Sequence, residues 1–125
     1  MALPRQLTFV DAAGIVAVLD RTSPGHQVVA GVWRLELEAG SVLVSTDYTI
    51  VQAALLLQER HGLAGVEHLF REVVPALRVE RCTQADVDVA VAALLSSADA
   101  GRDLVHHVEQ RVRQRLRVLA SLLDG

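Results

Sequence analysis

The sequence predicts an α/β fold in which a mostly parallel central sheet lies between helices, as a three-layer α/β/α sandwich. Short apolar runs alternate with helical patterns along the chain, and this alternation is typical of parallel sheets with helical connections. The length of 125 residues fits a single domain over residues 1–125, and 51% of the residues are apolar, which is enough for a core. Aromatic residues make up only 3% of the chain, so Val, Leu and Ala must supply most of the packing.

Composition and charge restrict the functional class. The formal net charge of -3 argues against bulk attraction to nucleic acid, but it leaves room for a local basic patch. Lys is absent, so the 12 basic residues are all Arg, whose forked guanidinium suits phosphate. The single cysteine, Cys82, cannot form an internal disulfide, which fits the reducing cytoplasm. No apolar signal core or membrane-length segment stands out, so we expect a cytoplasmic protein without a membrane contact.

The first half of the chain predicts two strands and three helices. A helix over 26–38 follows the turn-rich segment 21–25, and its apolar face should carry Val28, Val32 and Leu35, with Val29 and Trp33 beside them. Candidate caps at 45–47, of which Asp47 is favoured, begin the third helix, and Gly62 should end it. The predicted elements are a strand at 7–10, a helix at 12–19, a helix at 26–38, a strand at 42–44 and a helix ending near 61.

The second half continues the alternation. A segment over 83–86 resembles a capping box, and the helix that it begins should bury Val87, Val91 and Leu94. Residues 118–122 fit either a last strand or a helical tail. The predicted elements are a helix at 66–74 stopped by Pro75, a strand at 77–79, a helix from Thr83, a loop at 99–101 and a polar helix from about 103 to 114.

Asp11 is the first candidate for chemistry, because it follows directly on the first predicted strand. A carboxylate at the carboxyl end of a buried strand can hold a divalent cation or receive a polar substrate, and such a site needs further carboxylates from elsewhere in the chain. A purely structural alternative is that Asp11 caps the helix that follows it.

Four segments match, in order and in spacing, those of one known family: 9–14, 21–30, 44–52 and 99–106. They resemble the PIN domains, in particular the VapC-type toxins of bacterial toxin–antitoxin pairs. In that family the first segment carries a catalytic Asp, which matches Asp11. The third segment normally ends in a catalytic Glu and the fourth in a catalytic Asp. The last residues, 122–125, are similar to a family block that can supply a further Asp.

This sequence departs from the family at two of these positions. Gln52 stands where the family has Glu, and His106 stands where it has Asp. Asp103 stands where a Ser is often found. The resemblance implies an RNA phosphodiester hydrolase that uses Mg²⁺ or Mn²⁺, with Asp11, Gln52 and His106 at the catalytic positions. Gln52 brings no charge, and the His106 nitrogen suits Mn²⁺ better than Mg²⁺, so we expect the reaction to be weakened or lost.

A rebuilt metal site is the alternative to a lost one. His106 and Glu109 are three residues apart on a predicted helix and share a face, so with Asp11 they could form a mixed nitrogen and oxygen site. Asp103 could replace a lost carboxylate or only cap its helix, and the cap is favoured. The metal candidates are therefore Asp11, Asp103 and Glu109. The structural alternative is a solvated helix face.

After Glu109, arginines occupy every second position of the chain. Three arginines are candidates for RNA contact: Arg102, Arg111 and Arg113. A solvated helix balanced by Glu109 and Asp103 is the alternative, because no aromatic side chain accompanies the arginines for base stacking. Two functions remain open: a ribonuclease, active or relict, and a non-catalytic RNA- or protein-binding module. The resemblance further implies a homodimer and a small antitoxin partner.

Overall fold

The computed structural model describes residues 6–97 and 101–122, and in these ranges a four-stranded sheet carries helices on its two faces. The strands are β1 (Leu7–Phe9), β2 (Val42–Thr46), β3 (Arg78–Glu80) and β4 (Ala120–Ser121). The helices are α1 (Ala12–Leu19), α2 (His26–Glu38), α3 (Asp47–His68), α4 (Gln84–Ser96) and α5 (Leu104–Leu116). A π-helical turn (Leu69–Val73) and a 3₁₀ turn (Val74–Ala76) join α3 to β3.

All pairings in the sheet are parallel, in the order β3-β2-β1-β4, which confirms the predicted fold class. Within residues 118–122, which fitted a strand or a helical tail, Ala120–Ser121 form β4 beside β1. Burial decides between the two, because Val118 and Leu122 lie in the core and the Leu122 amide donates to the Phe9 carbonyl at 2.9 Å. The carboxyl ends of the strands meet at one edge of the sheet, and Asp11 lies there directly after β1.

The two faces of the sheet carry separate apolar clusters, because successive strand residues point to opposite sides. Leu43 packs into the larger cluster with residues of α1, α2 and α3. Phe9 and Val44 point the other way and pack with Val118 and, from α5, Leu116. The outer helix α4 packs on α5 through a third cluster centred on Ala90, Val108 and Val112. No helix within the described ranges is long and apolar enough to cross a membrane.

The predicted buried face of α2 is wrong in part. Val28 and Leu35 are exposed at 71% and 63%, whereas Val29 is buried and Val32 and Trp33 pack against the core. The apolar residues of α2 form two overlapping stripes, and only one of them can face α1. The sequence pattern alone does not distinguish the two stripes.

Strand β2 is longer than predicted at its junction with α3. β2 continues through Ser45 and Thr46, which are fully buried, because their hydroxyls find partners. The Ser45 hydroxyl donates to the Val10 carbonyl at 2.8 Å, and the Thr46 hydroxyl accepts from the Thr49 amide at 3.0 Å. Thr46 is therefore the N-cap of α3, and the prediction that Asp47 caps this helix is wrong.

The helical geometry stops at Gly62, as predicted, so α3 consists of two helical segments joined at a kink. Gly62 has φ +67° and ψ −157°, a conformation that side-chain-bearing residues rarely adopt, and the chain resumes helical geometry up to His68. The residues predicted as a separate helix at 66–74 are thus the end of α3 and the turns after it. β3 lies one residue later than predicted.

A buried ion cluster fixes α4 against α5. Asp86 is fully buried and receives Nη2 of Arg115 at 3.0 Å and Nε of Arg111 at 3.3 Å, while it also closes the predicted capping box with Thr83. Burial raises the pKa of Asp86, but the Arg115 and Thr83 hydrogen bonds outweigh it and lower the pKa to about 2. Because Asp86 and Ala90 take the inward positions of α4, Val91 is exposed, contrary to the prediction.

The substitution Asp86→Asn should lower the free energy of unfolding by about 2 kcal/mol at neutral pH, because two guanidinium groups lose their buried carboxylate partner. A carboxyl with a lowered folded-state pKa stabilises the fold above its unfolded pKa, near pH ~4. The difference between wild type and variant should therefore shrink as the pH falls towards about 2. Urea unfolding across this range measures it, with the exposed Asp88→Asn as the matched control. An equal difference at both ends of the range would contradict the ion-cluster account.

Candidate active-site cleft at the carboxyl edge of the sheet

A cleft of about 310 Å³ opens at the carboxyl end of β1, beside α5. Ligands in open parallel sheets commonly bind in this position, outside the carboxyl ends of the strands. The cleft brings together five of the residues predicted from the sequence. Its lining residues are Phe9, Asp11, Arg102, His106, Glu109, Gln110, Arg113 and Ser121.

Asp11 caps a helix, as the structural alternative predicted, and it also lies in the cleft. It is the N-cap of α1, where its Oδ1 accepts from the Gly14 amide at 2.8 Å, and it also lines the cleft. No hydrogen bond from the described residues occupies its second oxygen, Oδ2, so one carboxylate oxygen of Asp11 is available to a ligand. Asp11→Asn should preserve the cap, because Asn is an equally good N-cap residue.

Glu109 is the most unusual group in the cleft, because it is a buried carboxyl with only 7% of its surface exposed. The interpretation of this helix face as fully solvated does not hold for it. Its Oε2 accepts a hydrogen bond from the Thr49 hydroxyl at 2.7 Å, and Thr49 in turn contacts the Thr46 hydroxyl at 2.7 Å. Sequence reasoning missed this hydroxyl chain, although two hydroxyl residues directly after an apolar strand were a usable signal.

Burial raises the pKa of Glu109, and the negative charges of Asp11 and Asp103 add to this effect. Together they outweigh the Thr49 hydrogen bond and the charge of Arg113, which lower the pKa, and the result is a pKa of about 7. At neutral pH a substantial fraction of Glu109 therefore carries a proton. The effect of Asp11 and Asp103 on this pKa indicates that the surviving acidic residues lie near one another.

Asp103 and Gln52 form a pair beside the cleft. Asp103 is the N-cap of α5, as favoured, with Oδ1 accepting from the His106 amide at 2.9 Å. Its Oδ2 accepts from Nε2 of Gln52 at 3.0 Å. Of the two residues predicted to stand at acidic positions of the family, Gln52 thus lies against Asp103, and His106 lies in the cleft with Asp11 and Glu109.

These residues do not fit a Mg²⁺ ion in the arrangement shown. Mg²⁺ requires near-octahedral oxygen ligands, and no group of three or more His, Cys, Asp or Glu within 6–97 and 101–122 is arranged to hold a metal. Amide and hydroxyl hydrogens already point at the oxygens that a cation would need: Gln52 at Asp103, and Thr49 at Glu109. Asp124 of the predicted last block and most of the predicted loop at 99–101 lie outside the described residues.

The three predicted RNA-contact arginines do not share one position. Arg102 and Arg113 line the cleft, whereas Arg111 pairs with Asp86 on the α4 side and does not line it. Arg113 is also structural, since its Nη2 donates to the Leu119 carbonyl at 2.8 Å and its guanidinium carbon lies 5.6 Å from the Phe9 ring centre. Gln110 and Ser121 complete the lining and were not predicted.

Glu109→Gln should make stability less dependent on pH. A carboxyl with a raised folded-state pKa destabilises the fold once its unfolded form ionises, so wild type should lose up to about 3 kcal/mol relative to the variant between pH ~4 and ~7. Below pH ~4 the two proteins should be nearly equal, because both side chains are then neutral. Chemical unfolding in the presence of a chelator measures this, with the exposed Glu59→Gln as control. A pH-independent difference would show that folding leaves the pKa of Glu109 unchanged, and it would contradict this account.

Comparisons with known proteins support the fold. No family model matches the chain, and no curated protein matches it. Among solved structures, the chain is similar to the sarcin–ricin-loop-cleaving toxin VapC20 of Mycobacterium tuberculosis, with a TM-score of 0.78 over 93% of this chain and 87% of that one. The sequence identity is 18%, so the likeness concerns the fold. The chain therefore has the PIN-domain fold of the VapC toxins, as its sequence resemblance predicted.

Proposed function

We propose that this protein is a VapC-like RNA-binding protein in which metal-dependent RNA hydrolysis is strongly weakened. The fold shared with a toxin that cleaves the sarcin–ricin loop supports RNA as the ligand class. The observation that carries the loss of chemistry is the hydrogen bond from Gln52 Nε2 to Asp103 Oδ2, at 3.0 Å. The neutral amide of Gln52 thus donates a hydrogen bond to the carboxylate that a cation would have to bind.

The expected loss follows from electrostatics. The attraction between two opposite unit charges about 4 Å apart is about 4 kcal/mol at an effective dielectric constant of about 20, and it is twice as large when one of them is a dication. Losing even one carboxylate therefore lowers dication affinity by orders of magnitude. Here Gln52 and His106 stand in place of two carboxylates. At neutral pH a proton also competes with a cation for the Glu109 carboxylate.

RNA binding does not need the missing carboxylates. Arg102 and Arg113 line the cleft and suit phosphate oxygens, and the amide of Gln110 adds donors and an acceptor. A strand bound there would place a phosphate close to Asp11 without a metal to promote its hydrolysis.

Restoring the family pattern should restore the chemistry. In the double variant Gln52→Glu/His106→Asp, Mg²⁺-dependent cleavage of a sarcin–ricin-loop hairpin should rise at least tenfold over wild type. Without metal the variant should melt at a lower temperature, because the new carboxylate at position 52 faces Asp103, and added Mg²⁺ should recover the loss. Thermal denaturation with and without Mg²⁺ thus provides a readout independent of activity.

Two controls make this test specific. Gln58→Glu places the same charge on an exposed position of α3 and should change neither Mg²⁺ response nor cleavage. Adding Asp11→Asn to the double variant should remove the gained cleavage while keeping the α1 cap. Wild-type cleavage as fast as that of the double variant, and abolished by Asp11→Asn, would overturn the proposed weakening.

A rebuilt site is the second candidate, because Asp11, His106 and Glu109 all line the cleft, although these side chains would have to move closer together to hold a metal. A nitrogen and two carboxylates would suit Mn²⁺ better than Mg²⁺. Calorimetric titration with Mn²⁺ separates the candidates. Micromolar binding that is lost in Glu109→Gln would establish the rebuilt site, and binding only in the millimolar range would exclude it.

The proposal also includes protein partners, because the VapC resemblance implies a second copy of the chain and a small antitoxin. Val51 and Leu55 lie one turn apart on α3 and are both exposed, which suits an apolar interface. Light scattering of the purified chain tests self-association. A monomeric mass at micromolar concentration would contradict the homodimer.

A further inference from the structure

A second depression, of about 470 Å³, adjoins the cleft at the end of α5. Gln110 and Arg113 line both, so the two form one continuous surface. The remaining lining residues are Gln114, Arg117, Val118 and Leu119. Of the candidate site residues predicted from the sequence, Arg113 is the one that lines this depression.

The lining combines three kinds of group that a nucleotide needs. Val118 and Leu119 provide an apolar wall, and Leu119 is 89% exposed although it is a large hydrophobic residue. The amides of Gln110 and Gln114 offer donors and acceptors for base edges, and the guanidinium of Arg117 offers a cation for phosphate. Within the described ranges, no side-chain hydrogen bond or ion pair engages these two amides or Arg117.

The backbone at Arg117 adds a separate observation. Arg117 adopts φ +58° and ψ +42°, the only left-handed conformation at a non-glycine position in the described residues. This conformation follows a helix end, where glycine is usual, and it costs a side-chain-bearing residue about 1 kcal/mol. Arg113 is stabilised by two backbone carbonyls, but the side chain of Arg117 makes no such contact. The backbone amides of Arg117 and Val118 close the end of α5 on the Gln114 and Arg113 carbonyls at 3.2 and 2.9 Å, which offsets the conformational cost, and the guanidinium of Arg117 is left for a ligand.

We propose that this depression, the Arg117 subsite, binds the RNA nucleotide next to the one held in the cleft, with Arg117 on a phosphate and Gln110 and Gln114 on the base. The inference rests on the proposed function, because it takes RNA as the ligand. The shared residues Gln110 and Arg113 make the path between the two positions continuous, and the subsite extends the contact surface away from the weakened chemistry.

The test is Arg117→Gly, measured in an Asp11→Asn background that suppresses cleavage. Glycine accepts the left-handed conformation, so the variant should melt at the same temperature or higher, and any loss of binding is not a loss of fold. The probes are a fluorescein-labelled sarcin–ricin-loop hairpin and a labelled oligouridine of equal length, followed by fluorescence anisotropy at several salt concentrations.

One phosphate contact on single-stranded RNA contributes about 0.7 to the slope of log affinity against log salt, which is about fivefold in affinity at ~0.1 M salt relative to ~1 M. Arg117→Gly should therefore raise the Kd about fivefold at ~0.1 M salt and reduce the slope by about 0.7. Arg117→Lys should retain most of the affinity. Gln114→Ala should weaken binding without changing the slope, since an amide neutralises no phosphate.

The control is Arg34→Ala, which removes a charge from an exposed position of α2, a helix that packs on α1 and not on α5. Loss of affinity equal to that of Arg117→Gly would show a non-specific charge effect and overturn the subsite. Unchanged binding in Arg117→Gly would overturn the subsite and leave RNA binding intact. If the parent binds neither probe, the subsite and the proposed function both fall. Weakened binding in Arg117→Gly without any gain of cleavage in Gln52→Glu/His106→Asp would support the subsite and overturn only the proposed chemistry.

Discussion

The functional account depends on the charge balance at the carboxyl edge of the sheet. Parallel pairing brings Asp11 and the start of α3 to this edge, and α5 adds Asp103 and Glu109 from the side. In water such carboxylates would repel one another, and a divalent cation is the usual compensation. This protein compensates instead with neutral donors, an amide from Gln52 and a hydroxyl from Thr49, and with partial protonation of Glu109. These two hydrogen bonds give one oxygen of Asp103 and one of Glu109 a partner other than a cation.

On the proposed function, the same compensation would allow the cleft to bind RNA without a metal. Fixed carboxylates without cations would repel phosphate. The proton on Glu109 and the helix-capping hydrogen bond that Asp11 accepts reduce that repulsion. Arg102 and Arg113 then border a cleft of lower negative charge, and Arg113 is fixed in place by backbone carbonyls and the Phe9 ring. An arginine that is already ordered loses little conformational entropy when it binds a ligand.

Much of the fold was predictable because local signals agreed with the tertiary structure. The turn at 21–25, the bounds of α2 at 26–38 and the capping box at Thr83 have local signals in the sequence and appeared where predicted. The helix faces were predicted less well, because the contact of α2 with α1 decides which apolar stripe turns inward. The inward position of Asp86 could not be inferred from periodicity, since a buried carboxylate is explained only by the arginines on another helix.

At the site, Asp11, Asp103 and Glu109 were identifiable from sequence, but their relations were not. The pairing of Gln52 with Asp103 joins residues 51 positions apart, and the Thr49–Glu109 hydrogen bond joins residues 60 apart. Arg111 and Arg113 look equivalent in the sequence, yet one serves a buried ion cluster and the other borders the cleft. Helix rotation, which depends on packing against α4, separates them.

Calorimetric titration of the wild-type protein with Mg²⁺ tests the central claim most directly. The account predicts no binding in the micromolar range, with at most weak millimolar association. Micromolar Mg²⁺ binding that disappears in Asp11→Asn would contradict it, because it would show that the surviving carboxylates release their amide and hydroxyl partners to hold the ion.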